Sequence, residues 1–256
     1  MKVLVTGCNG QLGHEMRNIL EKEMPGKTIY TDIKELDLTD GDAVKSFVEK
    51  NEITHIVNCA AYTAVDRAEE DKALCHQINV DAVRNLANAA SATGAKVVHI
   101  STDYVFDGKA YRPYSESDKV NPMSHYGTTK RQGETALIAL APDSVIVRTA
   151  WLYSPYGNNF VKTMIRLGRE RKELRVVVDQ IGSPTYAADL AAAVYKIIES
   201  HQWVPGIYHF TNSGVASWYD FTKAIHRIAG VTDCKVIPIP TEDYPCLLYT
   251  SDAADE

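Results

Sequence analysis

Lys2-Val3-Leu4-Val5-Thr6-Gly7-Cys8-Asn9-Gly10-Gln11-Leu12-Gly13 decides the fold. The first five residues form an apolar run that reads as a buried strand. Gly7, Gly10 and Gly13 follow in G-x-x-G-x-x-G spacing, looser than G-x-G-x-x-G, and a helix reads from about Gln11 to Met24. Glycines let a backbone turn tightly and approach a pyrophosphate. A helix N-terminus offers that anion unpaired N–H groups and a positive dipole end. About twenty residues on, where such motifs place an acid for a ribose hydroxyl, Thr28-Ile29-Tyr30-Thr31 reads as a second strand ending at Asp32. Two plainer readings stay open: a tight strand–helix turn without a ligand, and Asp32 as a cap for the next segment.

The alternation continues downstream. Thr54-His55-Ile56-Val57-Asn58-Cys59 reads as an apolar strand. A single amphipathic helix is expected from Ala73 to Thr93, ended by Gly94 as a C-cap. Ala95-Lys96-Val97-Val98-His99-Ile100 is the next strand and delivers Ser101 and Thr102 at its C-terminal end; Ser144-Val145-Ile146-Val147-Arg148-Thr149 follows a helix around Tyr126. Apolar strands separated by helices imply an α/β, Rossmann-like, doubly wound parallel sheet covered on both faces. Ligands of such sheets bind outside the carboxyl ends of the strands, where Gly7, Asp32, Ala60, Thr102 and Thr149 all fall.

Beyond Thr149 the pattern loosens. Trp151 to Gly157 reads as a loop, Asn158 to Arg171 as a helix and Leu174 to Val178 as a strand. Gly182-Ser183-Pro184-Thr185 is expected to open a helix to about Ser200. Gly206 to Phe210 is a strand, Ser217 N-caps a helix to Ala229, and Lys235 to Pro238 is a last short strand. The expected organisation is a dinucleotide-binding domain over 1–150, then 151–245 completing the sheet and forming a smaller C-terminal substrate lobe, then a tail over 246–256.

Composition agrees with an enzyme-sized chain of 256 residues. A net charge of −6 without a basic run speaks against nucleic acid, and no apolar stretch reaches membrane-spanning length. Five scattered cysteines without C-x-x-C suit a reducing cytoplasm and no structural metal site. Cys8 and Cys59 read as small packing residues, because apolar burial raises a thiol pKa.

Two clusters carry the chemistry: Ser101-Thr102-Asp103-Tyr104 and Tyr126-Gly127-Thr128-Thr129-Lys130. Tyrosine and lysine four apart share one helix face. A free tyrosine, with a pKa of about 10, holds its proton too tightly for acid–base work near neutrality; a neighbouring ammonium favours the phenolate. A hydroxyl from Ser101 or Thr102 would bind a carbonyl oxygen beside Tyr126.

The glycine pattern, Asn58-Cys59-Ala60-Ala61-Tyr62-Thr63-Ala64-Val65-Asp66, Ser101 to Phe106, Tyr126 with Lys130, and Arg148-Thr149-Ala150-Trp151-Leu152-Tyr153 together resemble the extended short-chain dehydrogenases/reductases. Within them the likeness, running from Met1 to about Pro245, is closest to the dTDP-4-dehydrorhamnose reductase branch. The resemblance implies reduction of the C4 ketone of dTDP-4-dehydro-L-rhamnose to dTDP-L-rhamnose by NADPH or NADH in the cytoplasm, by a homodimer. It casts Tyr126 as general acid, Lys130 as holder of the nicotinamide ribose, and Thr102 as the hydrogen-bonding hydroxyl. Gly7, Gly10, Gln11, Leu12, Gly13, Asp32, Asp37, Leu38, Ala61, Tyr62 and Thr63 would line the dinucleotide with Tyr126 and Lys130. Thr102, Asp103, Tyr104 and Trp151 would meet the dTDP-sugar; Trp151 also has a plainer reading as a core aromatic, and Asp66-Arg67-Ala68-Glu69-Glu70 as a solvated helix start.

Related sugar-nucleotide dehydratases place Asp-Glu after the threonine, whereas Asp103-Tyr104 stands here, which points to simple reduction. Some relatives bind magnesium through a glutamate placed like Glu15; its partner residues have no match here, so no metal is expected. Asp32 favours a free 2′-hydroxyl and hence NADH, while Lys34 lies close enough to attract a 2′-phosphate, so both cofactors are expected to be accepted. The alternative class is a non-catalytic dinucleotide-binding regulatory subunit resembling the methionine adenosyltransferase β-subunit. After Pro245 the family continues with a Thr-Pro and arginine-containing stretch. Cys246 to Glu256 reads differently, as a foreign, disordered tail on a truncated lobe, with weakened substrate binding as the expected consequence.

Overall fold

The structure, a computed structural model, describes residues 1–244, so the tail expected over 246–256 lies outside the described residues. In chain order the elements are β1 (Val3–Thr6), α1 (Gln11–Glu23), β2 (Thr28–Thr31), α2 (Gly41–Lys50), β3 (His55–Asn58), α3 (Lys72–His76), α4 (Ala82–Thr93), β4 (Lys96–Thr102), α5 (His125–Leu140) and β5 (Val145–Thr149). There follow β6 (Leu152–Tyr153), α6 (Phe160–Glu170), β7 (Glu173–Val177), β8 (Ile181–Gly182), β9 (Thr185–Tyr186), α7 (Ala187–Glu199), β10 (Gly206–His209), β11 (Ala216–Ser217), α8 (Trp218–Ala229) and β12 (Lys235–Ile239).

Six strands form one sheet in the order β10-β5-β4-β3-β1-β2, every neighbouring pair parallel. A strand buried on both faces must be apolar at successive positions, which is why β1 reads as an unbroken run. Val3 and Val5 join the layer with Met16 and Leu20 of α1 and Leu190 and Val194 of α7. Leu4, between them, joins the opposite layer with Val44 of α2, Leu86 of α4 and Leu137 of α5. From β1 the chain steps to β2 on one side and to β3 on the other. The strand order therefore reverses there, and loops splay apart to leave a crevice at the carboxyl ends.

A second core lies beside this sheet. β7 and β12 pair in parallel, and α6 and α8 pack on them through Phe160, Met164, Trp218 and Ile225. β10, which lies beyond residue 151, returns to the main sheet and pairs with β5.

Three local features depart from the sequence reading. The stretch 73–93 is not one α-helix: Gln77–Asp81 forms a π-helical turn between α3 and α4. The widened turn meets Gly133 of α5, where a β-carbon would lie 2.3 Å from the Asn79 carbonyl oxygen. The helix expected from Gly182 starts only at Ala187. Pro184 keeps the residue before it extended, and the Thr185 N–H is used by the Trp151 carbonyl, making Thr185–Tyr186 a short strand beside β6. Helix α2 is an addition; Asp40 caps it by accepting the Ala43 N–H at 3.0 Å, and Val44 and Val48 are its buried side.

In an open helical position Gly→Ala stabilises by about 1 kcal/mol. At Gly133 the sign should reverse, because the new methyl group has no room against a backbone oxygen. Gly133→Ala is expected to cost about 1–3 kcal/mol, read as a lower urea midpoint at unchanged slope.

Candidate active site

The glycines of the first loop do different jobs. Gly7 has φ +61°, and a β-carbon there would meet Ala60 backbone at 2.7 Å, so it lets the loops after β1 and β3 pass closely. A β-carbon at Gly13 would lie 2.3 Å from the Gly7 carbonyl oxygen, so it lets α1 settle onto the loop. Gly10 is the N-cap of α1 with no capping side chain, and no acid stands in the first turn. The amides that follow, at Gln11, Leu12 and Gly13, begin a helix and lack helical acceptors. Leu12 itself is core. An uncapped N-terminus behind glycine, at the crevice of a parallel sheet, is a cradle for phosphate.

The other expected dinucleotide residues follow β2 and β3, the strands on either side of β1. Asp32 accepts the Asn9 N–H at 3.1 Å and the Ile33 N–H at 2.9 Å, so its carboxylate pins the glycine loop and also caps its own segment. Asp37 accepts both the N–H and the hydroxyl of Thr39, which hold its carboxyl below the usual range. The Leu38 carbonyl accepts from Asn85 of α4 at 3.0 Å. Ala61-Tyr62-Thr63 follow β3, and Asn79 holds Tyr62 from both sides. Its Oδ1 accepts the Tyr62 N–H at 2.9 Å, and its Nδ2 donates to the Tyr62 carbonyl at 3.1 Å. Asn79 was not singled out from sequence; the one available signal was a polar residue on the buried side of a long apolar helix.

The chemical cluster sits where β4 meets α5. Ser124 caps α5 by accepting the Gly127 N–H at 3.0 Å, and Glu69 accepts the His125 N–H at 2.7 Å. The acidic run around Glu69 thus anchors the turn that carries Tyr126. Tyr126 is buried, and its ring meets Tyr104 edge-on at 5.4 Å. Gly127 permits that approach, since a β-carbon there would lie 2.3 Å from the Tyr104 carbonyl oxygen. Lys130, only 2 % exposed, donates from Nζ to the Ile100 carbonyl at 2.8 Å. Desolvation pulls its ammonium down to about 8, against the opposing pull of Glu134 and Cys75.

Of the two hydroxyls left open by the sequence, Ser101 is committed elsewhere: it donates to Glu134 in the core at 2.6 Å. Thr102 remains at the strand end. Its Oγ1 accepts the Tyr104 N–H at 3.2 Å and donates to Asp103 at 3.1 Å, capping a 3₁₀ turn over Asp103–Val105. Burial raises the Asp103 carboxyl to about 6. Trp151 is placed differently. It holds φ +49°, unusual for a non-glycine residue, and stacks on Trp218 with ring centroids 3.5 Å apart. Gly182 makes room for it, so the indole is half-buried in the second core. Cys59, whose thiol burial pushes up to about 12, is suited to packing. Among the described residues no group of three or more His, Cys, Asp or Glu is placed to hold a metal ion, and no helix is long and apolar enough to cross a membrane.

A parallel sheet with an uncapped glycine-loop helix at its crevice, and a tyrosine–lysine pair beside a threonine at the next strand end, define a Rossmann-type short-chain dehydrogenase/reductase. Residues 1–251 match the family model described as the RmlD substrate binding domain. A dTDP-4-dehydrorhamnose reductase of Aggregatibacter actinomycetemcomitans is 42% identical, over 96% of this chain and 87% of its own length. The crystal structure of a dTDP-4-dehydrorhamnose reductase from Clostridium acetobutylicum superimposes with a TM-score of 0.92 at 50% identity, covering 96% of this chain and 86% of that one. The enzyme of the same name from Bacillus anthracis, solved in complex with NADP, gives 0.91 at 45% identity over 96% and 87% of the two chains. The chain belongs to the dTDP-4-dehydrorhamnose reductase family.

Burying Lys130 as a cation has a cost that sets a test. Its folded pKa lies below the ordinary value of about 10.4, so the cost is full below about 8 and fades as pH rises from there toward 10.4. Lys130→Met removes the charge and one hydrogen bond. At pH 7 the variant is expected to be more stable than the parent by about 2 kcal/mol, allowing about 3 for the charge and about 1 for the lost bond. The advantage should shrink between pH 8 and 10, measured by urea unfolding of both proteins across that range.

Proposed function

We propose that this protein reduces the C4 ketone of dTDP-4-dehydro-L-rhamnose to dTDP-L-rhamnose at the expense of NADPH or NADH. The observation that carries the reading is the joining of a phosphate cradle at Gly10 to a buried Lys130 one helical turn beyond Tyr126. The family membership and the reductase names of the relatives support the same reading.

The residues fit a dinucleotide. The Gln11 to Gly13 amides would take its pyrophosphate, Asp32 and the Asp37-Leu38 stretch its adenosine end, and Ala61 to Thr63 the path toward the nicotinamide. When bound, the cofactor supplies the hydride for the C4 carbon. Lys130 would hold the nicotinamide ribose and place its positive charge beside the phenol. Tyr126 would give its proton to the C4 oxygen, and Thr102, turning its hydroxyl from Asp103, would donate a hydrogen bond to that oxygen. Asp103 and the free edge of Trp151 would contact the sugar nucleotide. Tyr104 occupies the place where dehydratases carry a glutamate, and its ring packs edge-on against Tyr126. Elimination therefore lacks its acid and reduction is left.

Asp32 keeps a carboxylate at the end of β2 and disfavours a 2′-phosphate, while Lys34 is exposed close by, so both cofactors serve in this reading. The reading further includes a cytoplasmic enzyme acting as a homodimer; the free thiols at Cys8, Cys59, Cys75 and Cys234 suit a reducing compartment. The regulatory-subunit alternative is not favoured, since the relatives carry reductase names.

Purified protein incubated with the 4-keto sugar nucleotide and NADPH should deplete the reduced-nicotinamide absorbance. In Tyr126→Phe the turnover is expected to fall by about 10²–10⁴-fold while the dissociation constant for NADPH changes little. Unchanged turnover would remove Tyr126 from the acid role.

A further inference from the structure

Glu134 is fully buried on α5, one turn beyond Lys130 and two beyond Tyr126. A buried carboxylate is costly unless its acceptor sites are filled, and here they are. Oε1 accepts from the Ser101 hydroxyl at 2.6 Å and Arg148 Nε at 2.8 Å; Oε2 accepts from Arg148 Nη2 at 2.8 Å and Arg131 Nη1 at 2.9 Å. These partners hold its carboxyl below the usual range despite burial. Ser101 and Arg148 face each other across β4 and β5, and the next register pair is Thr102 with Thr149. One carboxylate thus grips two strands one residue before they reach the site. An ion pair in this position seldom adds stability over apolar residues of equal volume, so its use here calls for a reason other than stability.

We propose that Glu134 is a positioning residue: its carboxylate locks the helix face bearing Tyr126 and Lys130 onto the strand pair ending at Thr102 and Thr149, and keeps Lys130 an ammonium. Its catalytic meaning rests on the reductase reading; its effect on Lys130 does not. The groups around Lys130 leave this task to Glu134. Burial raises the Cys75 thiol from α3 and lowers the His99 imidazole from β4, so both are uncharged near neutrality. Arg148 from β5 and Arg131 on α5 are cations. Of the three turns packed on α5, one carries Arg67 and Glu69, the latter bound to the His125 N–H; the π-helical turn carries Asp81, paired with Arg84 of α4; and the third carries Asp103, already ionised above about 6 and so unchanged while Lys130 titrates. Tyr126 becomes an anion only after giving up its proton.

The test is the titration of Lys130 in the cofactor-free protein, by NMR of isotope-labelled lysine side chains, with Lys130→Met identifying the signal. In Glu134→Gln the Lys130 midpoint should fall by about one unit or more, and the alkaline limb of kcat/KM should move to lower pH with it. A residue that only supports the fold would lower the melting temperature and leave both midpoints in place. Because Glu134→Gln leaves Arg148 buried without its partner, the double variant Glu134→Met/Arg148→Met is the companion. It replaces the pair with apolar side chains, keeps the fold, and should show a smaller downward shift, because the positive charge of Arg148 leaves with the carboxylate. A folded variant of either kind with an unshifted Lys130 midpoint overturns the proposal. Absence of sugar-nucleotide reduction by the wild-type protein would overturn the reductase reading and leave the titration result standing.

Discussion

One buried amide, Asn58, sets the level at which the sheet ends. Its Oδ1 accepts from the Thr6 hydroxyl at 2.7 Å and from the Ala60 N–H at 3.1 Å, and its Nδ2 meets His99 Nδ1 at 3.0 Å. Three adjacent strands, β1, β3 and β4, are therefore tied by one side chain just before their loops diverge. The amide can point only one way, since Ala60 N–H needs an oxygen. Asn58 Nδ2 is then the donor to His99, which places the imidazole proton on Nε2. Full burial holds that ring neutral. Everything at the crevice follows from this level: Gly7 turning against Ala60, the uncapped start of α1, and Thr102 emerging from β4 beside α5.

Features set by neighbours in sequence were legible. The apolar run of β1, the glycine spacing and the Tyr126–Lys130 interval each need only a few consecutive residues, and each stands where it was read. The α/β class and the parallel sheet follow from the same local alternation. What escaped was set by distant partners. Asn79 and Asn58 look like ordinary polar residues until the fold brings Tyr62 and His99 to them. The π-helical turn depends on a glycine more than fifty residues away, as the Gly133–Asn79 approach shows. Ser101 and Thr102 are interchangeable in sequence, yet strand alternation sends one hydroxyl to Glu134 and keeps the other at the turn. Trp151 resisted reading for the same reason: its packing depends on Trp218 and Gly182.

The places where local rules are broken gather around the site. A lysine is almost fully buried, a tryptophan holds a left-handed backbone, and a helix takes a π-helical turn. Each is unfavourable alone, and each is over-determined by neighbours: Ile100 and Glu134 for Lys130, Trp218 for Trp151, Gly133 for the turn. Natural sequences concentrate such exceptions where function requires them. Two of them, the buried Lys130 and the widened turn, fall along one path, from the loop after β3 across α5 to β4, while Trp151 belongs to the second core. That path joins Tyr126, Lys130 and Thr102, the three residues of the proposed chemistry.

Helix α1 links this path to the second core. Its apolar stripe, Leu12, Met16 and Leu20, is sealed against the sheet. Its other stripe, Gln11, His14 and Asn18, meets the loop before α6. Gln11 accepts from Asn159 at 3.0 Å, His14 stacks on Tyr156 at 4.6 Å, and Asn18 donates to the Tyr156 hydroxyl at 3.0 Å. Asn159 also caps α6 by accepting the Lys162 N–H. The uncapped helix α1 is thereby bonded to the residue that caps α6. A ligand gripping the start of α1 bears on Gln11 first, and Gln11 is one bond from the cap of α6. Because these contacts are polar and partly exposed, shifting them is inexpensive beside disturbing the apolar stripe. Three polar side chains of α1 thus tie a helix of the first core to the loop that leads into the second.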